Sequence, residues 1–364
     1  MIPRLFPRRR LRSGLNPLRS DLSPLRPHLA LFAGAAFFLA SCSSPLAERA
    51  MHHHQHPEEA AEPAAAFTYG PPLPAGAVME RPGEQKADPG EETTVEGSLR
   101  PDNDTPEQRV PQIVERGRLV VGVDQSLYRI SYRDPRTGDL RGFEVDLARE
   151  IAQDIFGDPE KVEFRFMESA DSLESLNKGT VDAVIRTMSI TQERQEIVAF
   201  STPYLATNKR LLVKTSSGFE SIEDLNGHTI CVADSSTGLR EAREQATHSS
   251  ILKTRSWSDC LVALQQNQAE AILADGALLS GIAAQDQFTH IVGSSLSREN
   301  YGVAMLRQED GGNPGLIRQV NSTIERIRED GTWWKMYNTW FGSYLPTDGP
   351  PPLDYREEKE DSDE

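Results

Sequence analysis

The feature that most restricts this chain is a change of hydrophobic period that repeats from residue 119 onward. Leu119-Val120-Val121-Gly122-Val123 is an apolar run of strand length. The segment Gly142 to Phe156 then places Phe143, Leu147, Ile151 and Ile155 at four-residue steps, with Ala148 and Ala152 beside them. That spacing is the buried stripe of a helix. The pattern predicts a strand over Val162 to Phe166, a short capped helix over Asp171 to Lys178 and a strand over Val181 to Ile185. Short apolar strands alternating with amphipathic helices imply an α/β fold.

After Arg210-Leu211-Leu212-Val213 the pattern restarts. A capped turn is expected at Ser221 to Leu225, strands at Thr229 to Ala233 and Ile251 to Trp257, a helix at Ser258 to Asn267 and a strand at Ala271 to Ala274. A further strand, Tyr301 to Leu306, and a helical pattern from Pro314 to about Phe341 belong by their order to the first unit. Two α/β lobes with crossings near 209–214 and 297–303 would form a hinge. The expected division is lobe 1 over 106–211, lobe 2 over 212–299, and the remainder of lobe 1 over 300–342.

The ends of the chain read differently. Seven arginines and one aspartate in residues 1–41 precede or flank an apolar run from Leu29 to Ala40, the layout of a secretory signal peptide. The run is short for a membrane span. It closes in Leu39-Ala40-Ser41-Cys42, which resembles the bacterial lipobox, with Cys42 as the lipidated residue. Residues 42–105 are rich in Ala, Pro, Glu and Gly and are expected to be a disordered tether, because so few apolar side chains cannot offset the entropy of ordering. A coil of that length spans about 40–50 Å. His52, His53, His54 and His56 sit within it and read as a solvated low-complexity patch rather than a metal site. Residues 343–364 read as an acidic, disordered tail.

The formal net charge is −16, and the chain beyond residue 41 carries −22. That acidity excludes the basic footprint of a nucleic-acid-binding protein. Apart from Cys42 the cysteines are Cys231 and Cys260. An oxidising exterior favours their pairing, the alternative being two buried thiols.

Four motifs in order carry a resemblance: Gly142-Phe143-Glu144-Val145-Asp146-Leu147-Ala148, Val181-Asp182-Ala183-Val184-Ile185, Met188-Ser189-Ile190-Thr191-Gln192-Glu193-Arg194, and Phe200-Ser201-Thr202-Pro203-Tyr204. With Asp224-Leu225-Asn226-Gly227 and Asp330-Gly331-Thr332-Trp333, the chain resembles the family 3 solute-binding proteins of polar amino-acid ABC transporters over about residues 112–342. Within them it is most similar to the glutamate/glutamine-binding lipoproteins of actinobacteria. The resemblance implies a type II periplasmic-binding fold, two α/β lobes closing on a cleft; the sequence gives no sign of a cofactor.

A free amino acid would lose water at both its carboxylate and its ammonium on closure, so each needs a partner. Arg194 matches the family's carboxylate clamp, and a guanidinium offers two parallel donors. Thr187 and Ser189 would add hydroxyl and backbone donors, as would Ser236 and Thr237 at a helix start, where Ser236 and Thr237 also read as simple N-caps. Asp275 is the candidate for the ammonium, or a helix cap. Tyr128 and Tyr132 lie where the family places an aromatic ring over the ligand. Arg186 stands where many relatives carry a small residue; it would reach a second carboxylate and favour glutamate or aspartate over glutamine or asparagine, unless it is simply exposed at a strand end or pairs with Glu144 or Asp182.

Three functional classes follow. One is a monomeric receptor, lipid-anchored on the outer face of the cell membrane, that delivers its ligand to an ABC permease. A second is the same module serving a membrane sensor. The third is an enzyme built on this fold, which would need a general base in place of a zwitterion clamp; Arg194 and Asp275 argue against it.

Overall fold

A computed structural model describes residues 70–84, 95–168 and 171–358. The predicted signal segment, Cys42, the histidine cluster and the last six residues lie outside them.

Lobe 1 is built on a five-stranded sheet in the order Val162–Phe166, Leu119–Val123, Ala183–Val184, Ala304–Met305, Ala199–Phe200. Leu119–Val123 is parallel to both neighbours and every one of its residues is buried. A strand covered on both faces is apolar throughout, which is why its sequence does not alternate. The helix Phe143–Phe156 buries its predicted stripe in this core, against the helix Pro314–Glu329. The long helical pattern expected to run to residue 341 is broken: a second helix, Thr332–Trp340, begins after Gly331, whose φ of 82° is left-handed. Asp330 caps the restart by accepting from the Thr332 amide at 2.8 Å.

Lobe 2 holds the second sheet, ordered Val78–Glu80, Ser250–Thr254, Thr229–Ala233, Ala271–Asp275, Leu205–Lys214, Thr289–Val292. Cys231 on its Thr229–Ala233 strand is disulfide-bonded to Cys260 on the helix Trp257–Gln265. The predicted strand end at Trp257 falls three residues earlier. Ser256 instead caps the helix, accepting from the Asp259 amide at 3.2 Å and donating to its carboxylate at 2.9 Å, a capping pattern that was legible as Ser-x-x-Asp.

Two antiparallel strands link the lobes. Leu205–Lys214 begins at lobe 1 and runs through the lobe 2 sheet, and Arg298–Tyr301 pairs with its first half on the return path.

The tether and tail expectations need correction. Val78–Glu80 adds an antiparallel strand to the edge Ser250–Thr254. Glu80 there accepts a bidentate pair from Arg243 and lies 3.0 Å from the Lys253 amine. On lobe 1, Ser98 bridges Tyr355 in parallel register and donates to the Phe200 carbonyl at 2.7 Å, while Asn321 donates to the Ser98 hydroxyl and the Leu99 carbonyl. Tyr355, within the supposed tail, donates to Glu325 at 2.9 Å. These segments have too little apolar surface to fold alone. They are ordered because a sheet edge and a polar groove supply backbone partners that composition cannot register.

Candidate functional site

Between the lobes lies a cavity of about 260 Å³. Strand ends and helix starts supply its walls. From lobe 1 come Leu127, Ser172, Leu173 and the loop from Arg186 to Ser189, with Arg194. From lobe 2 come Ala233, Ser235 to Gly238, Trp257, Ala274, Asp275 and Leu278.

Arg194 sits on the one-turn helix Gln192–Gln195, which Thr191 caps. Its guanidinium donates to the Ser189 carbonyl at 3.0 Å and, across the cleft, to the Ser235 carbonyl at 3.5 Å. Among the described residues it forms no ion pair with a carboxylate. Burial accordingly pulls its pKa below the usual arginine value, with Asp275 acting in the opposite sense. A half-buried cation whose hydrogen bonds go to carbonyls is complementary to an anion.

Asp275 ends the central strand Ala271–Asp275 and precedes the helix Gly276–Ala283, yet its side chain does not cap that helix. Its Oδ2 accepts the Tyr301 hydroxyl at 2.5 Å, and Oδ1 is buried without a hydrogen bond, with the Lys209 amine 3.7 Å away. Lys209 itself is engaged by Glu299. A carboxylate in the lining with an oxygen that accepts no hydrogen bond is complementary to an ammonium.

The hydroxyl groups are brought together from both sides. Ser189 and Thr237 place their hydroxyl oxygens 3.5 Å apart across the cleft. Ser236 is committed to its cap, accepting from the Leu239 amide and donating to the Ala233 carbonyl. Thr237 and Gly238, the first residues of the helix Thr237–Gln245, line the cavity at the positive end of that helix. Thr187 takes a left-handed φ of 47° and its amide donates to Glu144 at 2.6 Å.

Two expectations are not met in the form given. Tyr128 and Tyr132 are not among the lining residues; their rings meet each other edge-on at 4.8 Å, and Tyr132 meets Trp340 at 6.2 Å. Leu127, at the end of its strand, lines the cavity, whereas Tyr128 lies in the turn that follows. The apolar walls are Leu127, Leu173, Trp257 and Leu278 instead, none of which carried a distinguishing sequence signal. Arg186 lines the cavity, but its guanidinium pairs with Asp124 at 2.8 Å and donates to the Met167 carbonyl. Neither anticipated partner holds it: Asp182 takes Arg116 and the Val120 amide, and Glu144 takes Thr187 and Tyr204.

The lobes meet beyond the cavity too. Arg255 of lobe 2 donates to both oxygens of Glu168 of lobe 1, at 3.0 and 2.9 Å. The backbone of Tyr128 lies directly on Gly281, where a Cβ would collide with the Tyr128 carbonyl oxygen.

A profile of the bacterial extracellular solute-binding proteins, family 3, matches residues 119–343. The chain belongs to that family. Its members are solute-binding receptors rather than enzymes, and the two-lobed architecture is the type II periplasmic-binding fold. Among curated relatives of this family 3 protein, the ABC transporter glutamine-binding protein GlnH of Bacillus subtilis is 31% identical over 229 residues, covering 63% of this chain and 82% of that protein. The glutamate-binding protein GluB of Corynebacterium glutamicum is 28% identical over 252 residues, covering 65% and 84%. Among solved structures, an ancestral arginine-binding protein bound to glutamine superimposes with a TM-score of 0.57 at 33% identity, covering 62% of this chain and 99% of that one.

Proposed function

We propose that this family 3 protein is a receptor for a free amino acid, held by cleft closure and delivered to an ABC permease. One observation carries the reading: Arg194, which has no carboxylate partner among the described residues, and Asp275, whose Oδ1 accepts no hydrogen bond, line the same small cavity. A zwitterion would set its carboxylate on Arg194, with the Ser189 and Thr237 side chains nearby, and its ammonium on Asp275, which Lys209 approaches only to 3.7 Å. The relatives named for glutamine and glutamate support an amino-acid ligand and an importer as partner. The predicted signal segment and Cys42 support lipid anchoring outside the membrane.

For the side chain, the charged lining residues are Arg186, Arg194 and Asp275. A zwitterion engages the last two, and Arg186, although paired with Asp124, is the third charged residue of the lining. Asp124 itself does not line the cavity, so a terminal carboxylate there would meet the cation and not its partner. We assign glutamate or aspartate as the preferred ligand on this ground. Calorimetric titration with glutamate, aspartate, glutamine and asparagine tests it. Arg186→Ala should weaken the acidic ligands at least tenfold more than the amides, and equal losses would remove Arg186 from the specificity argument.

A further inference from the structure

Glu144 plays no part in the clamp, yet its carboxylate touches the wall of the cavity. It lies in the first turn of the helix Phe143–Phe156 and is 1% exposed. Its Oε1 accepts twice, from the Thr187 amide at 2.6 Å and from the Tyr204 hydroxyl at 2.5 Å. Its Oε2 is buried with no hydrogen bond. Thr187 is a β-branched residue in the left-handed region, a conformation that persists only where neighbours impose it. The bond to Glu144 is one such constraint, and the residues on either side of Thr187 are the cavity-lining Arg186 and Met188.

We propose that Glu144 is a positioning residue: its ionised carboxylate fixes the Thr187 amide, and with it the cavity wall from Arg186 to Ser189, so that ligand affinity follows the charge on Glu144. The inference rests on the ligand site proposed above.

The charged and titratable groups that act on Glu144 come from each element around it. Arg186 follows the strand Ala183–Val184, Asp124 follows Leu119–Val123, Tyr204 precedes the first linking strand, and Tyr301 ends the second. Burial dominates and pushes the carboxyl up to about 7, against the hydrogen bonds from Tyr204 and Thr187 and the charge of Arg186, which lower it. The ionised form makes the stronger, charge-assisted bond to the Thr187 amide. Ligand binding to the fixed loop therefore favours ionised Glu144. Affinity should rise with pH through about 7, and binding below that point should release a proton.

The test is calorimetric titration of the full chain with L-glutamate and, separately, L-glutamine from about pH 5.5 to pH 8. A difference of one pKa unit between free and liganded Glu144 gives an affinity rise of about tenfold over this range. Glu144→Gln should flatten the profile at the acidic-limb affinity of the unaltered protein. Tyr204→Phe removes one of the two donors to Oε1 and should move the midpoint upward. A Glu144→Gln profile with the unaltered slope overturns the proposal, and so does an unmoved midpoint in Tyr204→Phe, which decides the matter if Glu144→Gln does not fold. Arg194→Ala separates this from the site itself. Intact binding in that variant would refute the ligand site. Lost binding there, with an unaltered slope in Glu144→Gln, would refute the role of Glu144 alone.

Discussion

Replacing Arg194 by alanine removes the one cation of the cavity that has no carboxylate partner among the described residues. In the liganded state the loss strands a buried carboxylate, and breaking such a pair costs about 3–5 kcal/mol. At about 1.4 kcal/mol per decade this is a rise in Kd of roughly 150- to 4,000-fold. The unliganded protein should respond in the opposite way. There the guanidinium is partly buried and bonded to the Ser189 and Ser235 carbonyls, so its removal relieves some burial penalty at the expense of two hydrogen bonds. The Tm without ligand should stay level or rise slightly, while the increase in Tm on adding ligand disappears. Arg194→Lys should fall between, because an ammonium keeps the charge but not the two-pronged donor geometry. Calorimetry gives the Kd and differential scanning fluorimetry the Tm. If Arg194→Ala binds within about fivefold of the unaltered protein, the carboxylate is bound elsewhere. If its ligand-free Tm falls by many degrees, Arg194 is a structural residue.

Three other perturbations have defined outcomes. Reducing the Cys231–Cys260 bond, which closes a separation of 29 residues, should lower stability by about 3–4 kcal/mol on the chain-entropy account, read as a fall in the denaturant midpoint. Gly281→Ala places a methyl against the Tyr128 carbonyl and should disfavour closure by about 1–3 kcal/mol, weakening every ligand alike; scattering should show the liganded form expanded, and unchanged affinity would mean that closure does not use this contact. Deleting residues 70–84 uncovers the edge strand Ser250–Thr254 and strips Arg243 and Lys253 of Glu80. A Tm lower by a few degrees is expected, with self-association detected by size-exclusion chromatography.

Much of the architecture was legible because local chemistry agreed with it. The strands Leu119–Val123, Val162–Phe166 and Thr229–Ala233 fall where their apolar runs predict. The helix Phe143–Phe156 follows its four-residue stripe. Reading a single helix through residue 341 failed because the apolar spacing continues across Gly331, while the backbone does not. The ordered arm and tail segments escaped notice for a different reason. Composition measures what a segment can bury by itself, not what an edge strand elsewhere offers it.

The residue types that an amino-acid clamp requires were fixed by the sequence: an arginine after a capped turn, an acid at a strand end, hydroxyls at helix starts. Their partners were decided only by the tertiary structure. Asp275 could equally have capped its helix, and folding instead gave one oxygen to Tyr301 from the return strand. Arg186 found Asp124, some sixty positions earlier in the chain, rather than its sequence neighbour Asp182. Periodicity sets which face of an element is buried, whereas a charge pairs with whatever the crossing of strands brings within reach.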